Sequence, residues 1–343
     1  MRNCLLFVAG IFLALCSFGQ TVPADRSAAA PTIQSTSTLV IVPTLVRSPS
    51  GELVETLHSG DFRLTDNGVE QRVSIENVER QPLAVVVLMQ TGGAAPRQFA
   101  NYTRLATMLD YMMGNSAHRV ALLCFDSQPE TLTPFTSEID DLKAELSRPE
   151  PGDAGAAILD AVNEGIDVLK QQPTVLRRIL ILFSQSQDEG SRSHIEDVVR
   201  RLGENNVTIY SVAFSPEKTW LKDQFTKPRH GNPPYQLSPD QPPLIGTFDL
   251  STPLGVAIQA MRTNAAASIA SLSGGEYIRF DDERDLEHQL AILANHIPNR
   301  YILSFRPTSD QPGFHALQVY VPAQPVLQIS ARSSYWMTGP PGR

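Results

Sequence analysis

Apolar residues follow one pattern before residue 80 and another pattern after it. Between residues 37 and 80, short apolar stretches alternate with polar positions, which is typical of strands that bury one face. Residues 39–46 predict one strand, and residues 61–75 predict a hairpin. The pair Asn67-Gly68 supplies the two positive φ angles that a tight type I′ turn requires. We therefore expect a small β module over residues 37–80.

From residue 81 to residue 299, apolar runs alternate with stretches of helical periodicity. The runs cover residues 83–89, 119–125, 178–183 and 207–214. Unbroken apolar runs of this length are typical of parallel strands that are buried on both faces. Between them apolar residues recur every three or four positions, as in the stripe from Phe99 to Met112. This alternation predicts an α/β fold with a doubly wound, mainly parallel sheet.

Local signals also predict where several of these helices begin and end. Asp153 is a candidate N-cap for the helix that follows it, and Ser193 with Glu196 matches a capping box. Gly274 is a candidate C-terminal signal. Residues 300–335 then alternate as strands that we expect to join the N-terminal β module, and residues 336–343 are expected to form a tail.

The two remaining segments have compositions of their own. Residues 1–20 combine an early arginine, an apolar centre and a small-residue cleavage site, which predicts a secretory signal peptide. Residues 21–36 have linker composition. The alternative of a lipoprotein anchored through Cys16 is disfavoured by the bulky Leu15 before it. Residues 216–253 are rich in proline and are predicted to be an insertion after the last apolar run.

Composition and motifs exclude several classes of function. A net charge of −8 argues against nucleic acid as the main partner, and no apolar stretch of the mature chain is long enough to span a membrane. The mature chain keeps one cysteine, Cys124, within an apolar run, so no internal disulfide is expected. Since hydrolase, zinc, P-loop and dinucleotide motifs are missing from the sequence, we predict that the protein is not an enzyme.

The first apolar run ends in the most informative stretch, Gln90-Thr-Gly-Gly-Ala94. The run, the turn after it and the helix pattern that follows resemble the start of a von Willebrand factor A (vWA) domain, which has a Rossmann-like fold. Segments 60–71, 273–277, 299–307 and 331–335 extend the resemblance to the secreted vWA-related proteins of Acidobacteria. The resemblance implies an α/β domain at residues 81–299 with the β module beside it.

In vWA domains, a metal-ion-dependent adhesion site holds magnesium with an Asp-x-Ser-x-Ser motif, a threonine and an aspartate. The resemblance places neutral residues at all five positions of this chain: Gln90, Gly92, Ala94, Ala156 and Gln185. Because hard cations prefer charged or hydroxyl oxygen, we expect no bound cofactor, and magnesium or manganese is disfavoured. We also expect the amides of Gln90 and Gln185 to hydrogen-bond to each other. The alternative is a metal site rebuilt from Asp126, Asp153 and Asp188.

These observations predict an exported, non-catalytic protein, periplasmic or secreted, that recognises an unknown protein partner at the cell envelope without a metal. The aromatic residues Trp220, Phe225 and Tyr235 of the insertion are candidate partner contacts. Two alternatives remain open. One is a metal-dependent adhesion module that uses the rebuilt carboxylate ligands. The other is a structural scaffold with a vestigial vWA site.

Overall fold

The apolar runs of the sequence become the middle strands of a large sheet. The computed structural model describes residues 39–76, 81–114, 117–214 and 253–339. Its strands are β1 (Val40–Arg47), β2 (Arg63–Asp66), β3 (Val69–Gln71), β4 (Ser74–Glu76), β5 (Leu83–Gln90), β6 (His118–Phe125), β7 (Pro129–Thr136), β8 (Arg177–Ser184), β9 (Val207–Phe214), β10 (Tyr277–Phe280), β11 (Tyr301–Phe305), β12 (Gly313–Tyr320), β13 (Gln328–Ala331) and β14 (Ser334–Met337). Its α-helices are α1 (Leu105–Met113), α2 (Lys143–Ser147), α3 (Ile158–Lys170), α4 (Ile195–Glu204), α5 (Pro253–Thr263), α6 (Ala265–Ser273) and α7 (Glu283–His296). Short 3-10 helices cover Ser59–Asp61, Ala95–Tyr102 and Ile139–Leu142.

Several predictions concern residues outside these ranges. The signal peptide at 1–20, the linker at 21–36 and Cys16 lie outside the described residues, as does the insertion up to residue 252. Residue 253, the last of the predicted insertion, is described and begins α5.

The central sheet has six strands in the order β10-β9-β8-β5-β6-β7. Strands β5, β6, β8, β9 and β10 are parallel, and β7 pairs antiparallel with β6 at one edge. One face of the sheet packs on α1 and α7, and the other face packs on α3, α4, α5 and α6. The predicted doubly wound, mainly parallel α/β fold is therefore confirmed. None of the helices in the described ranges is long and apolar enough to cross a membrane.

The four predicted strands of this sheet are present, with ends that differ from the prediction by at most one residue. Their side chains are almost fully buried, so the apolar runs in the sequence marked them directly. The sequence pattern did not predict β7 or β10. Strand β7 lies at the sheet edge with mostly exposed or half-exposed side chains, so it has no continuous apolar run.

Two smaller antiparallel sheets flank the α/β unit, with strand orders β13-β1-β11-β4 and β14-β12-β2-β3. They share one apolar core, and each sheet combines strands from both ends of the chain. Because β4 pairs with β11, the chain passes from the β sandwich into the α/β unit and returns from it at two neighbouring strands. Residues 336 and 337 belong to β14, which corrects the expectation that the tail begins at residue 336.

The sequence predicts the turns of the chain more accurately than the first residues of its helices. Asn67 and Gly68 have φ values of 47° and 83°, and Gly274 ends α6 with φ of 82°, as predicted. Asp153 is not an N-cap, because α3 begins at Ile158. The capping box at Ser193 is also wrong, since His194 precedes the first residue of α4 and makes no side-chain cap. The stripe from Phe99 to Met112 is divided between the 3-10 helix Ala95–Tyr102 and α1.

A buried arginine joins the β sandwich to the α/β unit. Arg332, between β13 and β14, is 3% exposed. Its Nη2 donates to the carbonyl oxygens of Leu202 (3.2 Å) and Gly203 (2.7 Å) in the last turn of α4. Its Nη1 donates to the carbonyl oxygen of Ile41 in β1 (3.1 Å). Burial lowers the pKa of Arg332 to about 10, so the guanidinium stays charged at neutral pH. The cation thus caps the negative end of the helix dipole.

We expect Arg332→Ala to destabilise the protein by about 3 kcal/mol, because it leaves buried helix carbonyls without donors. Urea unfolding measures this change. Arg200→Ala is the matched control on α4, since Arg200 forms a half-exposed pair with Asp197 and its loss should cost less than about 1 kcal/mol. Equal losses in the two variants would contradict the role of Arg332.

Candidate functional site

Two glutamines meet where β5 and β8 end. Gln90 is the last residue of β5 and Gln185 follows β8, and they are 0% and 3% exposed. Gln90 Nε2 donates to Gln185 Oε1 at 3.2 Å, so the expected hydrogen bond between the two amides is present. Gln185 N donates to Gln90 Oε1 at 2.8 Å. Because the strands are parallel neighbours, their carboxyl ends bring the two side chains together.

Each amide nitrogen also donates to a main-chain carbonyl oxygen. Gln90 Nε2 donates to the carbonyl oxygen of Gly92 at 3.0 Å, and Gln185 Nε2 donates to that of Gln187 at 3.0 Å. Buried polar groups are costly unless they are hydrogen-bonded, and here each amide oxygen and nitrogen has a partner. The pair therefore fixes the ends of the two strands relative to each other.

The loop at residues 152–155 lies directly over the turn that follows β5. Gly152 N donates to the carbonyl oxygen of Thr91 at 3.0 Å, and Gly93 N donates to that of Asp153 at 2.9 Å. A Cβ built on Gly92 would lie 2.2 Å from the carbonyl oxygen of Gly155. Only glycine, which has no Cβ, fits at position 92 while the loop at 152–155 lies this close.

The two alanines offer no side-chain donor or acceptor. Ala94 is half-buried and precedes the 3-10 helix Ala95–Tyr102. Ala156 is fully buried, and its main chain exchanges two hydrogen bonds of 2.9 Å with Glu189. This bridge joins the loop before α3 to the loop after β8.

Asp126 and Asp153 lie next to each other and hold main-chain groups. Asp126 accepts from the backbone N–H of Gln128 and of Asp153, both at 3.0 Å. Asp153 accepts from the N–H of Gly155 (2.7 Å) and of Ser127 (3.1 Å), and also from the Ser127 hydroxyl. The bond from this hydroxyl is the main reason why the pKa of Asp153 lies below its usual value.

Asp188 has a different position and role. It accepts from the backbone N–H of Leu159 at 3.0 Å in the first turn of α3, and from the Ser191 hydroxyl at 2.6 Å. Asp160 reciprocates by accepting from the N–H of Arg192 (2.9 Å) and Ser193 (2.8 Å). The start of α3 is thus capped from the loop that follows β8.

Across the described ranges, no three or more histidine, cysteine, aspartate or glutamate side chains are grouped as they would be around a metal ion. The candidate aromatic contacts Trp220, Phe225 and Tyr235 lie outside the described residues.

Sequence reasoning missed Ser127, Ser191 and Asp160, which complete these contacts. Ser127 directly follows Asp126 at the end of a strand, and Ser191 stands three residues after Asp188. Serines close to aspartates in loops are a signal for local side-chain to backbone bonding. Their actual partners come from other loops, which the sequence alone does not indicate.

We expect Ser127→Ala to raise the pKa of Asp153, because the variant removes the hydrogen bond that most favours the carboxylate. Side-chain carboxyl NMR signals followed against pH measure this change. The lowered pKa means that the stabilisation by Asp153 is present above the unfolded pKa and is lost as pH falls through the folded pKa. Ser137→Ala is the control, since the Ser137 hydroxyl donates to Glu138. An unchanged Asp153 titration in Ser127→Ala would contradict the assignment.

Several solved structures are similar to part of this chain. No curated protein matches the chain. An aerotolerance-related membrane protein from Bacteroides fragilis is 14% identical over 62% of this chain and 98% of its own, with a TM-score of 0.36. The PilB minor pilin from Streptococcus sanguinis is 11% identical over 65% of this chain and 63% of its own (TM-score 0.42). The vWF domain of the type V pili tip protein Mfa5 from Porphyromonas gingivalis is 20% identical over 32% and 39% (TM-score 0.27).

The family model described as the von Willebrand factor type A domain matches residues 88–188. This segment runs from the end of β5 through β6, β7, α3 and β8 to Asp188, and so contains both glutamines and all three aspartates of the candidate site. With this family match and its doubly wound sheet, the α/β unit of the chain has a vWA-like fold.

Proposed function

We propose that the protein is exported and recognises a protein partner at the cell envelope through the carboxyl edge of its vWA sheet, without a bound metal and without catalysis. The observation that carries this proposal is the closed pair of Gln90 and Gln185 at that edge. Two neutral amides that satisfy each other occupy positions where the family's metal site has an aspartate.

The residues at this edge do not fit a magnesium ion. Magnesium prefers several charged or hydroxyl oxygen ligands at short distances. The Gln90 oxygen already accepts from the Gln185 N–H, and Gly92, Ala94 and Ala156 have no side-chain oxygen. The carboxylates of Asp126, Asp153 and Asp188 accept main-chain N–H groups. This arrangement supports recognition without a metal over the rebuilt-ligand alternative.

Recognition is the function that best fits the rest of the chain. Domains of this family are generally non-catalytic adhesion or interaction modules. The signal-like sequence at residues 1–20 supports export. Loops at the carboxyl ends of parallel strands are the usual ligand-binding side of such sheets.

The proposed contact surface consists of exposed residues in three neighbouring loops, Gln128, Glu150, Ala154 and Gln187. Their loops are held together by the contacts of Asp126 and Asp153 and by the bridge at Ala156, so the surface is rigid before binding. Rigid loops lose little conformational freedom on association. Trp220, Phe225 and Tyr235 of the segment 216–253 lie outside the described residues and stay candidate partner contacts on the sequence alone.

Thermal unfolding of the mature protein tests the metal-free state. We expect the same melting temperature in EDTA, magnesium and manganese. An ion that binds only the folded state would stabilise it by about 2.7 kcal/mol at a hundredfold excess over its dissociation constant. A clear rise with either ion, reversed by EDTA, would contradict the proposal and favour the rebuilt carboxylate site.

Capture of envelope proteins by the immobilised chain tests the recognition surface. We expect Ala154→Arg to reduce capture at least tenfold, because it places a bulky charge in the centre of the contact surface. Val175→Arg is the matched control: Val175 is 64% exposed and precedes β8, at the opposite edge of the sheet. EDTA should leave capture unchanged. Equal capture by both variants, or loss of capture in EDTA, would contradict the proposal.

The same assay tests the aromatic residues of the insertion. If Trp220, Phe225 and Tyr235 contact the partner, their combined substitution by alanine reduces capture. Unchanged capture would show that these aromatic residues do not contact the partner. The proposed surface would then consist of the three loops only.

A further inference from the structure

The place that the family's metal-binding side chain would occupy is filled by the main chain of another loop. A Cβ on Gly92 would lie 2.2 Å from the Gly155 carbonyl oxygen and 2.8 Å from that of Asp153. Real Cβ atoms do not approach main-chain atoms this closely. A serine at position 92, which the family motif has at this place, therefore requires the loop at 152–155 to move away.

Two glycines of the loop itself lie equally close to the turn after β6. A Cβ on Gly155 would lie 2.6 Å from both the N and the Cα of Ser127. A Cβ on Gly152 would lie 2.7 Å from Asp126 Oδ2. The loop at 152–155 is thus wedged between the turn after β5 and the turn after β6, and each close contact is made at a glycine.

We infer that residues 152–155 form a built-in plug that takes the place of the metal ion and performs its structural task of holding the loops together. The plug holds the turn after β5 through the bonds Gly152 N to Thr91 O and Gly93 N to Asp153 O. It holds the turn after β6 through the Asp153 carboxylate on Ser127. Asp153 is the positioning residue of this plug, since its carbonyl oxygen and its carboxylate serve different loops.

This inference rests on the proposed metal-free function, and it also restricts the chemical groups that the partner contributes to the contact. A vWA domain with an open metal position accepts an acidic side chain from its partner as a ligand. Here the plug closes that position with peptide groups, and Glu150 and Asp153 are exposed on the plug or beside it. The partner of this surface therefore does not contribute a carboxylate ligand.

The variant Gln90→Asp/Ala156→Thr/Gln185→Asp tests the plug by restoring three ligand types without touching its glycines. We expect millimolar magnesium to leave the melting temperature of this variant unchanged, because the plug still fills the ion's position. A magnesium-dependent rise would overturn the inference. The wild-type response to magnesium tests the proposed function, so the two failures are distinguishable.

Hydrogen exchange on the wild-type protein keeps the inference testable even if that variant does not fold. We expect the amide protons of Gly93, Gly152 and Ser127 to exchange at least about a hundredfold more slowly than in an unfolded peptide. Exchange near the peptide rate would show that the loop does not occupy the site, and would overturn the inference.

A matched pair of glycine variants tests the packing itself. Gly92→Ala should lower the melting temperature and release the protection at Gly93 and Gly152, since its Cβ collides with main-chain atoms. Gly60→Ala is the control, because nothing lies within 4 Å of a Cβ at that exposed position. Equal behaviour of the two variants would contradict the plug.

Discussion

The structure depends on one constraint: polar groups that the packing buries must find hydrogen-bond partners inside the chain. Strand β5 lies in the middle of the sheet with both faces covered, so any side chain at its carboxyl end is removed from water. Gln90 meets this requirement by pairing with Gln185 and with the turn at Gly92. Since an unpaired buried amide costs about 1–3 kcal/mol, the two glutamines specify each other.

The same constraint joins the α/β unit to the β sandwich. The last turn of α4 has carbonyl groups that no residue of the helix can satisfy, and the guanidinium of Arg332 supplies donors to two of them. The same side chain donates to Ile41 in β1, so one residue connects a helix with two strands from opposite ends of the chain. Arg332 therefore holds the α/β unit on the β sandwich at residues 202 and 203, far in sequence from the two segments that connect the unit to the sandwich.

The proposed function rests on how the carboxyl edge meets this constraint. An open metal site needs charged oxygen ligands and a free coordination position. This edge has instead a closed amide pair, a main-chain bridge at Ala156 and a glycine-lined loop that fills the remaining space. Loops that are held by their own hydrogen bonds form a rigid, neutral to acidic surface, which is suited to contact with a protein partner.

The sequence by itself determined four of the six strands of the central sheet, the tight turn at Asn67-Gly68 and the residues that lie at the site. It could do so because burial on both faces demands continuous apolar runs, and because positive φ angles demand particular residues. The exposed edge strand β7 and the true partners of Asp153 and Asp188 were decided by the tertiary structure. Their contacts join residues about 25 to 30 positions apart, and only the parallel alignment of β5, β6 and β8 brings such loops to one edge.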